Sequence, residues 1–394
     1  MLLPKKIRVL RRQRAFSISY LALFSGCPAR FILQNEGVEA FLPSGPYARL
    51  GSEIHKVIEV ATREARQDVL PALRATILNG GITVHSSASA LGVVPLREAF
   101  SRSHLSKKIG AANRSYISSS ATRISQNSQV NRSDVQRLSW LQKLVNKKVL
   151  VEESVKSETL QLAGKIDRLE LSDSDSIIVE DFKTGQICDE QEGNHALKQD
   201  YQLQLYGYAL VLSEDVDPSA IMMRVVGSDR VWEEPFSGHA LQKISRHVAD
   251  LQRVLPTGQD LSVAELASPG DACQYCPYRP ACAAYLDWAP TIWANNDAND
   301  KLPYDVWGIV NKATKGEGGL WDIYVTGDGG KSFRVNNVPD HLIESSYQEG
   351  QRVYMFSLRP TRSKQQGYPQ NYEVLSREDF SRSAHTAKIF AEQG

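Results

Sequence analysis

Residues 164–185, GKIDRLELSDSDSIIVEDFKTG, contain two runs of strand-forming residues separated by the short polar segment SDSDS. This pattern predicts two strands that pair as an antiparallel hairpin. On the second strand Asp181 and Lys183 are two residues apart and share a face, whereas Phe182 points into the core. Together with Asp167 on the first strand, the hairpin is predicted to aim two carboxylates and one ammonium group at a common point.

This combination of groups suits phosphate chemistry. A hard divalent cation such as Mg²⁺ commonly binds one or two carboxylates, with substrate phosphate and water as its other ligands. A lysine beside such a cation can orient or deprotonate the attacking water and stabilise charge on the phosphate. The alternative interpretation is an exposed ion pair on a strand, since a D-x-K triplet is common.

Two further pairs of polar residues lie at helical spacing on either side of the hairpin. His55 and Glu59 are four residues apart in GSEIHKVIE (residues 51–59), and Gln202 and Tyr206 are four apart in QLQLY. Residues with this spacing share one face of a helix. A histidine on a helix is more often structural than a ligand, and Glu59 could support a metal site or pair with a neighbouring basic residue. Glu152 or Glu153, on the preceding strand, could also approach the site, and the sequence does not select between them.

The order of these motifs resembles that of the PD-(D/E)xK nuclease superfamily. The resemblance is closer to its RecB-like branch, which includes the nuclease domains of RecB and AddB and the CRISPR-adaptation nucleases. It covers roughly residues 15–290. The matching motifs are G-x-x-x-H at Gly51 and His55, G-x-x-D at Gly164 and Asp167, (D/E)-x-K at Asp181 and Lys183, and Q-x-x-x-Y at Gln202 and Tyr206.

The resemblance implies a fold and a set of residue roles. The fold is α/β, an α+β restriction-endonuclease-like core with a central mixed sheet flanked by helices. The implied metal ligands are His55, Asp167, Asp181 and the main-chain carbonyl of Phe182, with Mg²⁺ or Mn²⁺ as the cation. The implied catalytic residues are Lys183, Asp181 and Asp167, with Lys183 activating water. Gln202 and Tyr206 would contact DNA or orient Lys183.

The implied activity is hydrolysis of DNA phosphodiester bonds. We expect an exonuclease acting on single-stranded or end-containing DNA, in recombination, repair or antiviral defence. The alternative is a catalytically idle DNA-binding or complex-organising subunit with a structural zinc or iron–sulfur site. Cleavage polarity, strand preference and pathway are not specified by these motifs.

Three cysteines near residue 280 form a second constellation. Cys273, Cys276 and Cys282 have the spacing C-x2-C-x5-C, which is typical of a metal or cluster site. Zinc is the usual occupant and an iron–sulfur cluster the alternative, and both usually need a fourth ligand. The local sequence offers no fourth ligand.

Cys27 has two incompatible interpretations. A basic run precedes SYLALFSGCPARF (residues 19–31), so Cys27 could end a lipoprotein signal, but polar residues interrupt the apolar segment that a signal needs. Iron–sulfur members of the RecB-like branch carry one cysteine before the nuclease motifs, in a similar context, and three after them. The resemblance therefore implies that Cys27 is the fourth ligand of a 4Fe-4S cluster. Cys188 is either a small buried residue or a competitor for that position.

Composition and local patterns set the remaining expectations. The chain has 394 residues, is 42% hydrophobic and carries a formal net charge of +1. We expect a cytoplasmic globular protein, because no apolar stretch approaches the roughly 18 to 20 residues of a membrane span. The predicted domains are a nuclease domain over 1–290, a linker over 291–302 and a β-barrel, OB-like, over 303–394. Residues 101–148, rich in Ser, Asn, Arg and Lys, are either a solvated surface or a basic flap over a phosphate backbone.

The predicted barrel could bind single-stranded DNA or dock a helicase or other DNA-processing protein. An OB-type barrel stacks bases on aromatic residues within a basic groove. Alternation of residues places Tyr324 on the face opposite to Trp321. The aromatic candidates are Trp307, Trp321, Tyr324, Phe333, Tyr354 and Phe356.

Overall fold

The structure, a computed structural model, describes residues 4–43, 46–64, 68–79, 100–120, 139–191, 194–227, 230–294, 305–316, 319–328, 330–338, 349–360, 370–373 and 388–391. The α-helices in these ranges are α1 (Leu21–Gly26), α2 (Pro28–Asn35), α3 (Pro46–Arg63), α4 (Leu70–Leu73), α5 (Arg102–Ser120), α6 (Trp140–Lys147), α7 (Gln199–Leu212), α8 (Gly238–Val254), α9 (Val263–Leu266) and α10 (Ala283–Ala294). None of the described helices is both long and apolar enough to cross a membrane.

Strands make up the rest of the regular structure. Those of the first 300 residues are β1 (Val9–Arg11), β2 (Phe16–Ser17), β3 (Val149–Ser157), β4 (Leu162–Leu171), β5 (Ile177–Phe182), β6 (Cys188–Gln191), β7 (Asn194–Leu197), β8 (Ile221–Val226), β9 (Val231–Pro235) and β10 (Asp260–Ser262). The later ones are β11 (Val306–Lys315), β12 (Trp321–Gly327), β13 (Ser332–Val338), β14 (Arg352–Phe356), β15 (Arg359–Pro360), β16 (Gln370–Glu373) and β17 (Lys388–Ala391).

The central sheet has the order β2-β4-β5-β8-β9, and β3 pairs with the other edge of β4. The predicted hairpin is present as β4 and β5, which pair antiparallel with Arg168 opposite Glu180. β5 pairs parallel with β8, so the sheet is mixed. Helices flank this sheet, and the predicted α/β class with a central mixed sheet is confirmed.

Helices α7 and α8 cover the sheet on one side through one continuous hydrophobic core. A short 3-10 turn, Ile18–Tyr20, lies between β4 and α7. A Cβ atom added at Gly207 would lie 2.9 Å from Ile18, and one added at Gly164 would lie 3.1 Å from it. These two glycines therefore allow the close packing of the N-terminal segment against α7 and β4.

Helices α3, α4 and α5 form a separate packed unit beside the end of β5. Its core is apolar and includes Leu50, Ile54, Ile58, Leu105, Ile109, Ala112 and Tyr116. Ile54, Ile58 and Ala112 line a small cavity together with Phe182. This contact places α3 and α5 next to the residues that follow β5.

The described strands of the predicted barrel form one sheet. The antiparallel order is β13-β12-β11-β14-β17. β16 pairs parallel with β13 and antiparallel with β15, and only Ser357 and Leu358 separate β15 from β14. The strands that pair with the two ends of the β11–β12–β13–β16 series, β14 and β15, are therefore consecutive along the chain.

The barrel interior corrects part of the aromatic prediction. Trp307, Phe333 and Phe356 are at most 1% exposed, and Tyr354 is also buried. These rings fill the barrel and are not accessible for stacking on bases. Tyr324, as predicted, lies on the opposite face from the buried Ile323 and Val325, with the Arg334 guanidinium 5.5 Å from its ring centre.

The predicted linker begins inside a helix. α10 continues to Ala294, through the first four residues of the segment 291–302, and the remainder of that segment lies outside the described residues. The barrel packs on α10, because Tyr285 and Leu286 share one hydrophobic cluster with barrel residues such as Trp307.

Candidate active site

The predicted carboxylates and lysine meet at the ends of β4 and β5. Asp167 Oδ2 accepts a 2.8 Å hydrogen bond from the main-chain N–H of Phe182, which holds the two strands together at the site. Lys183 Nζ lies 2.7 Å from Asp181 Oδ2. Asp181 is only 3% exposed, so this ion pair lies inside the protein.

His55 reaches the same site from α3. Its Nδ1 lies 3.8 Å from Asp167 Oδ2. One turn earlier, a Cβ atom added at Gly51 would lie 3.3 Å from the Thr184 hydroxyl, so α3 packs tightly against the residues that follow β5. The G-x-x-x-H spacing therefore has a physical basis, because a small residue at 51 lets the histidine approach the carboxylates.

Burial and neighbouring charge shift the proton affinities of the site. Burial, followed by the charge of Asp181, raises the pKa of Asp167 well above its usual value. Burial lowers the pKa of His55, against the opposing effect of Asp181, so the imidazole is neutral and can act as a ligand. Burial alone would lower the pKa of Lys183, but Asp181 outweighs it and the net shift is upward.

The glutamine and tyrosine that meet the site are not the predicted pair. Gln204 accepts a 3.0 Å hydrogen bond from Lys183 Nζ and donates one of 2.9 Å to Asp181 Oδ1. Tyr208, one turn later, donates to the main-chain carbonyl of Lys165 at 2.7 Å. Tyr206 instead packs against Phe236, with ring centres 6.3 Å apart.

The structure therefore brings Gln204 and Tyr208 to the site, two residues beyond the predicted Gln202 and Tyr206. A shift of two positions turns a side chain by about 200° around a helix, so Gln202 and Gln204 lie on opposite faces of α7. Gln204 and Tyr208 also have the Q-x-x-x-Y spacing. The sequence contains both pairs, and only the rotation of α7 against the sheet selects between them.

The neighbouring glutamates separate into two groups. The charge of Glu152 adds to the rise in the pKa of Asp167 and partly offsets the fall that burial causes in the pKa of His55. Its carboxylate lies 2.5 Å from Lys165 Nζ. Glu59 lies 3.5 Å from the same lysine, so it joins this ion-pair group at the rim of the site. Glu153 faces away and pairs with Lys143. The structure thus brings Glu152 towards the site rather than Glu153.

An open cleft of about 620 Å³ lies beside His55 and Lys183. Its polar lining includes His55, Lys183, Thr184, Lys108, Ser52 and Tyr201. The Lys183 ammonium lies 5.1 Å from the centre of the Tyr201 ring. The cleft therefore presents two lysines, an imidazole and hydroxyl groups to a ligand, which is a suitable lining for a phosphate diester.

The donor set at this site suits a divalent cation. Asp181 Oδ2 is buried beside the Lys183 ammonium, and the charge of Asp181 helps to raise the pKa of Asp167. Carboxylates, a neutral imidazole and a main-chain carbonyl are acceptable ligands for Mg²⁺ or Mn²⁺. In the described part of the chain, however, no three His, Cys, Asp or Glu side chains stand in a ready metal-binding arrangement. As placed, Asp167 bonds Phe182 N–H and Asp181 pairs with Lys183.

Four cysteines converge about one small cavity elsewhere in the fold. Cys27 lies at the start of α2, Cys273 and Cys276 lie in and just after a 3-10 turn, and Cys282 precedes α10. All four line a cavity of about 20 Å³. Cys188 is not among the lining residues and is buried in the main core.

Burial and the neighbouring arginines act in opposite directions on the thiols that line this cavity. Burial raises the pKa of Cys273 to about 12 and that of Cys282 to about 11. Arg30 and Arg279 act in the opposite direction on the pKa of Cys276. The donor chemistry suits a metal or an iron–sulfur cluster. The cavity that the four thiols line has the size of about one water molecule.

Comparison with known proteins supplies a family for the chain. Residues 15–283 match the profile of the family described as the PD-(D/E)XK nuclease superfamily. No curated protein matches the chain.

Two solved structures resemble the chain weakly. SSO0001 has 16% identity and a TM-score of 0.20, with 50% of this chain and 85% of that chain covered. A provisionally named exonuclease from Eubacterium rectale has 11% identity and a TM-score of 0.31, with coverages of 61% and 80%.

Proposed function

The chain belongs to the PD-(D/E)XK nuclease superfamily, and from this premise we propose that it is a Mg²⁺- or Mn²⁺-dependent deoxyribonuclease. One observation carries the proposal. Lys183 pairs with Asp181, Asp167 lies beside the imidazole of His55, and both His55 and Lys183 line an open cleft. These groups suit metal-assisted hydrolysis of a phosphodiester.

Asp167, Asp181, His55 and the Phe182 carbonyl would hold the cation, which would supply Lewis-acid polarisation of the scissile phosphate and a lowered pKa of water. Lys183 orients the attacking water and stabilises charge on the phosphate. Gln204 fixes Lys183 relative to Asp181 by bonding to both. His55 stays neutral because burial lowers its pKa.

The test is digestion of DNA by the purified full chain with each metal. We expect degradation in Mn²⁺ or Mg²⁺ and none in EDTA. Asp181→Asn and Lys183→Met should abolish degradation. Asp173→Asn, an exposed carboxylate in the turn of the same hairpin, should leave it unchanged. Activity in both site variants would overturn the assignment, and an idle DNA-binding subunit would bind DNA but leave it intact.

The finer proposal is exonuclease action on single-stranded or end-containing DNA. The RecB-like features of the sequence support it, namely the four motifs in their order together with the cysteine spacing. End-labelled linear and covalently closed circular substrates, each single- and double-stranded, test it directly. Loss of linear DNA with survival of circles supports an exonuclease, and loss of circles contradicts it. Recombination, repair and antiviral defence are the pathways proposed for such an activity.

We also propose that Cys27, Cys273, Cys276 and Cys282 hold a 4Fe-4S cluster. Support comes from the convergence of all four thiols and from the two arginines that can offset thiolate charge. A brown sample with broad visible absorption and about four iron atoms per chain is expected for such a cluster. A colourless protein that contains one zinc ion per chain would contradict the cluster and indicate a zinc site. Cys27→Ser should lose iron, whereas Cys188→Ser should retain it.

The division into a nuclease domain, linker and barrel is part of the same proposal, as is the OB type of the barrel. The pairing order β15-β16-β13-β12-β11-β14, in which β15 follows β14 along the chain, supports the OB assignment. The barrel would bind single-stranded DNA or a DNA-processing protein such as a helicase. A DNA-binding measurement on Tyr324→Ala separates these two roles.

A further inference from the structure

Helix α5 contributes Lys108 to the cleft lining, and its charged residues are all basic. Between Arg102 and Ser120 it has four Arg or Lys residues and no Asp or Glu. Leu105, Ile109, Ala112 and Tyr116 anchor it in the α3–α5 core. This apolar stripe fixes the rotation of the helix, and with it the direction of each basic side chain.

The two adjacent lysines of α5 are consequently not equivalent. Lys108 lies one turn before the buried Ala112 and lines the cleft together with His55 and Lys183. Its Nζ donates a 3.2 Å hydrogen bond to the main-chain carbonyl of Thr184, the residue after Lys183. Lys107 is exposed on the outer side of the helix and does not line the cleft.

Within the described ranges, no carboxylate lies within ion-pair distance of Lys108, whereas Lys183 pairs with Asp181. The acceptor of Lys108 is a neutral carbonyl. An ammonium group has three donors, so two remain for a ligand in the cleft. A half-buried cation of this kind attracts an anion more strongly than a fully solvated one.

We infer that Lys108 binds a phosphate of the DNA backbone next to the phosphate that is cleaved, an inference that rests on the proposed function. The carbonyl of Thr184 holds the ammonium at the cleft wall, where His55 and Lys183 also lie. A lysine binds phosphate as a point charge without reading the base, so the contact is independent of sequence. Lys108 belongs to the basic segment 101–148 that the sequence left unassigned; residues 121–138 of that segment lie outside the described residues.

The experiment measures binding of a fluorescein-labelled single-stranded DNA oligonucleotide by the full chain over a series of salt concentrations. Ca²⁺ replaces Mg²⁺, and the oligonucleotide is checked for cleavage afterwards. Lys108→Met should weaken binding several-fold and reduce the slope of log affinity against log salt by about 0.7, the value for one lost contact to a single strand. Lys108→Arg should keep the wild-type slope, and so should Lys107→Met.

The outcomes separate this inference from the proposed function. A wild-type slope in Lys108→Met overturns the inference, even if melting shows that the lost bond to Thr184 lowers stability. An equal reduction in Lys107→Met also overturns it, because the effect would then be general charge. If the wild-type protein neither binds nor cleaves DNA, the proposed function fails and the inference fails with it.

Discussion

Arg279 and Asp305 form a buried ion pair that joins the cysteine segment to the barrel. Arg279 Nε lies 2.7 Å from Asp305 Oδ2, and the two side chains are at most 4% exposed. The same guanidinium donates to the main-chain carbonyls of Cys273 and Cys276, each at 2.9 Å. Asp305, just before β11, also accepts a 2.6 Å bond from the Tyr285 hydroxyl. One arginine therefore fixes the cysteine loop and the entry to the barrel together.

Replacement of this arginine should be costly. Arg279→Met leaves Asp305 buried without its cation, a change that typically lowers the free energy of unfolding by about 3 to 5 kcal/mol. Denaturant unfolding of the full chain measures the loss. Arg253→Met, which removes an exposed i,i+3 pair with Asp250, should change the free energy by less than about 0.5 kcal/mol. Equal effects of the two substitutions would contradict a structural role for the buried pair.

The two glutamines of α7 should differ sharply in their effect on activity. Gln204→Ala removes both hydrogen bonds that hold Lys183 and Asp181 in register, and misplacement of a catalytic group by about 1 Å can lower the rate about 100-fold. We expect a fall in kcat with little change in melting temperature. Gln202→Ala, on the opposite face, should retain wild-type activity. The reverse pattern would restore the pair Gln202 and Tyr206 as the functional one.

The rotation of α7 against the sheet could not be predicted from the sequence. From Leu203 to Leu212 every residue except Gln204 is buried, so the helix is apolar on nearly all sides. An amphipathic stripe, which would show which face meets the sheet, is absent from this stretch. Asp167, Asp181 and Lys183 were predictable because a hairpin brings neighbouring strands together by local rules.

Long-range contacts were beyond such local rules. The bonds of Lys108 to Thr184 and of Arg279 to Asp305 span 76 and 26 residues, and no spacing in the sequence indicates them. The barrel strands were predictable from alternation and turn residues. The outward or inward direction of Trp307 and Phe356 depends on how the strands close, so these rings were placed wrongly as binding candidates.

Replacement of two helix glycines by alanine should change the stability of the protein in opposite directions. In Gly207→Ala the new Cβ would lie 2.7 Å from Leu21 Cδ1 and 2.9 Å from Ile18 Cγ2. Such overpacking typically costs about 1 to 3 kcal/mol. Gly238, the first residue of α8, has no atom within 4 Å of an added Cβ, so Gly238→Ala should stabilise by about 0.4 to 1 kcal/mol. Denaturant midpoints measure both, and a stabilised Gly207→Ala would contradict the close packing of the N-terminal segment.

The paired carboxylates should link stability to pH and to divalent cations. Burial and the charge of Asp181 raise the folded-state pKa of Asp167 above its ordinary value of 3.8. The folded protein therefore holds this proton more tightly than the unfolded chain, so the group contributes most below that ordinary value. Its contribution is lost as pH rises through the folded-state pKa. Asp167→Asn is the reference, because its side-chain oxygen can still accept the Phe182 N–H bond. Relative to this variant, metal-free wild-type protein should lose stability as the pH rises through the folded-state pKa.

Mn²⁺ should reverse that loss at neutral pH, because a cation that binds only the folded state stabilises it by about 2.7 kcal/mol at 100 times its Kd. The melting temperature of the wild type should rise with Mn²⁺ concentration, and that of Asp167→Asn should rise much less. Asp173→Asn is the matched control, since its carboxylate is exposed in the β4–β5 turn, and it should respond to Mn²⁺ as the wild type does. An identical Mn²⁺ response in all three proteins would place the cation elsewhere and separate the buried carboxylates from metal binding.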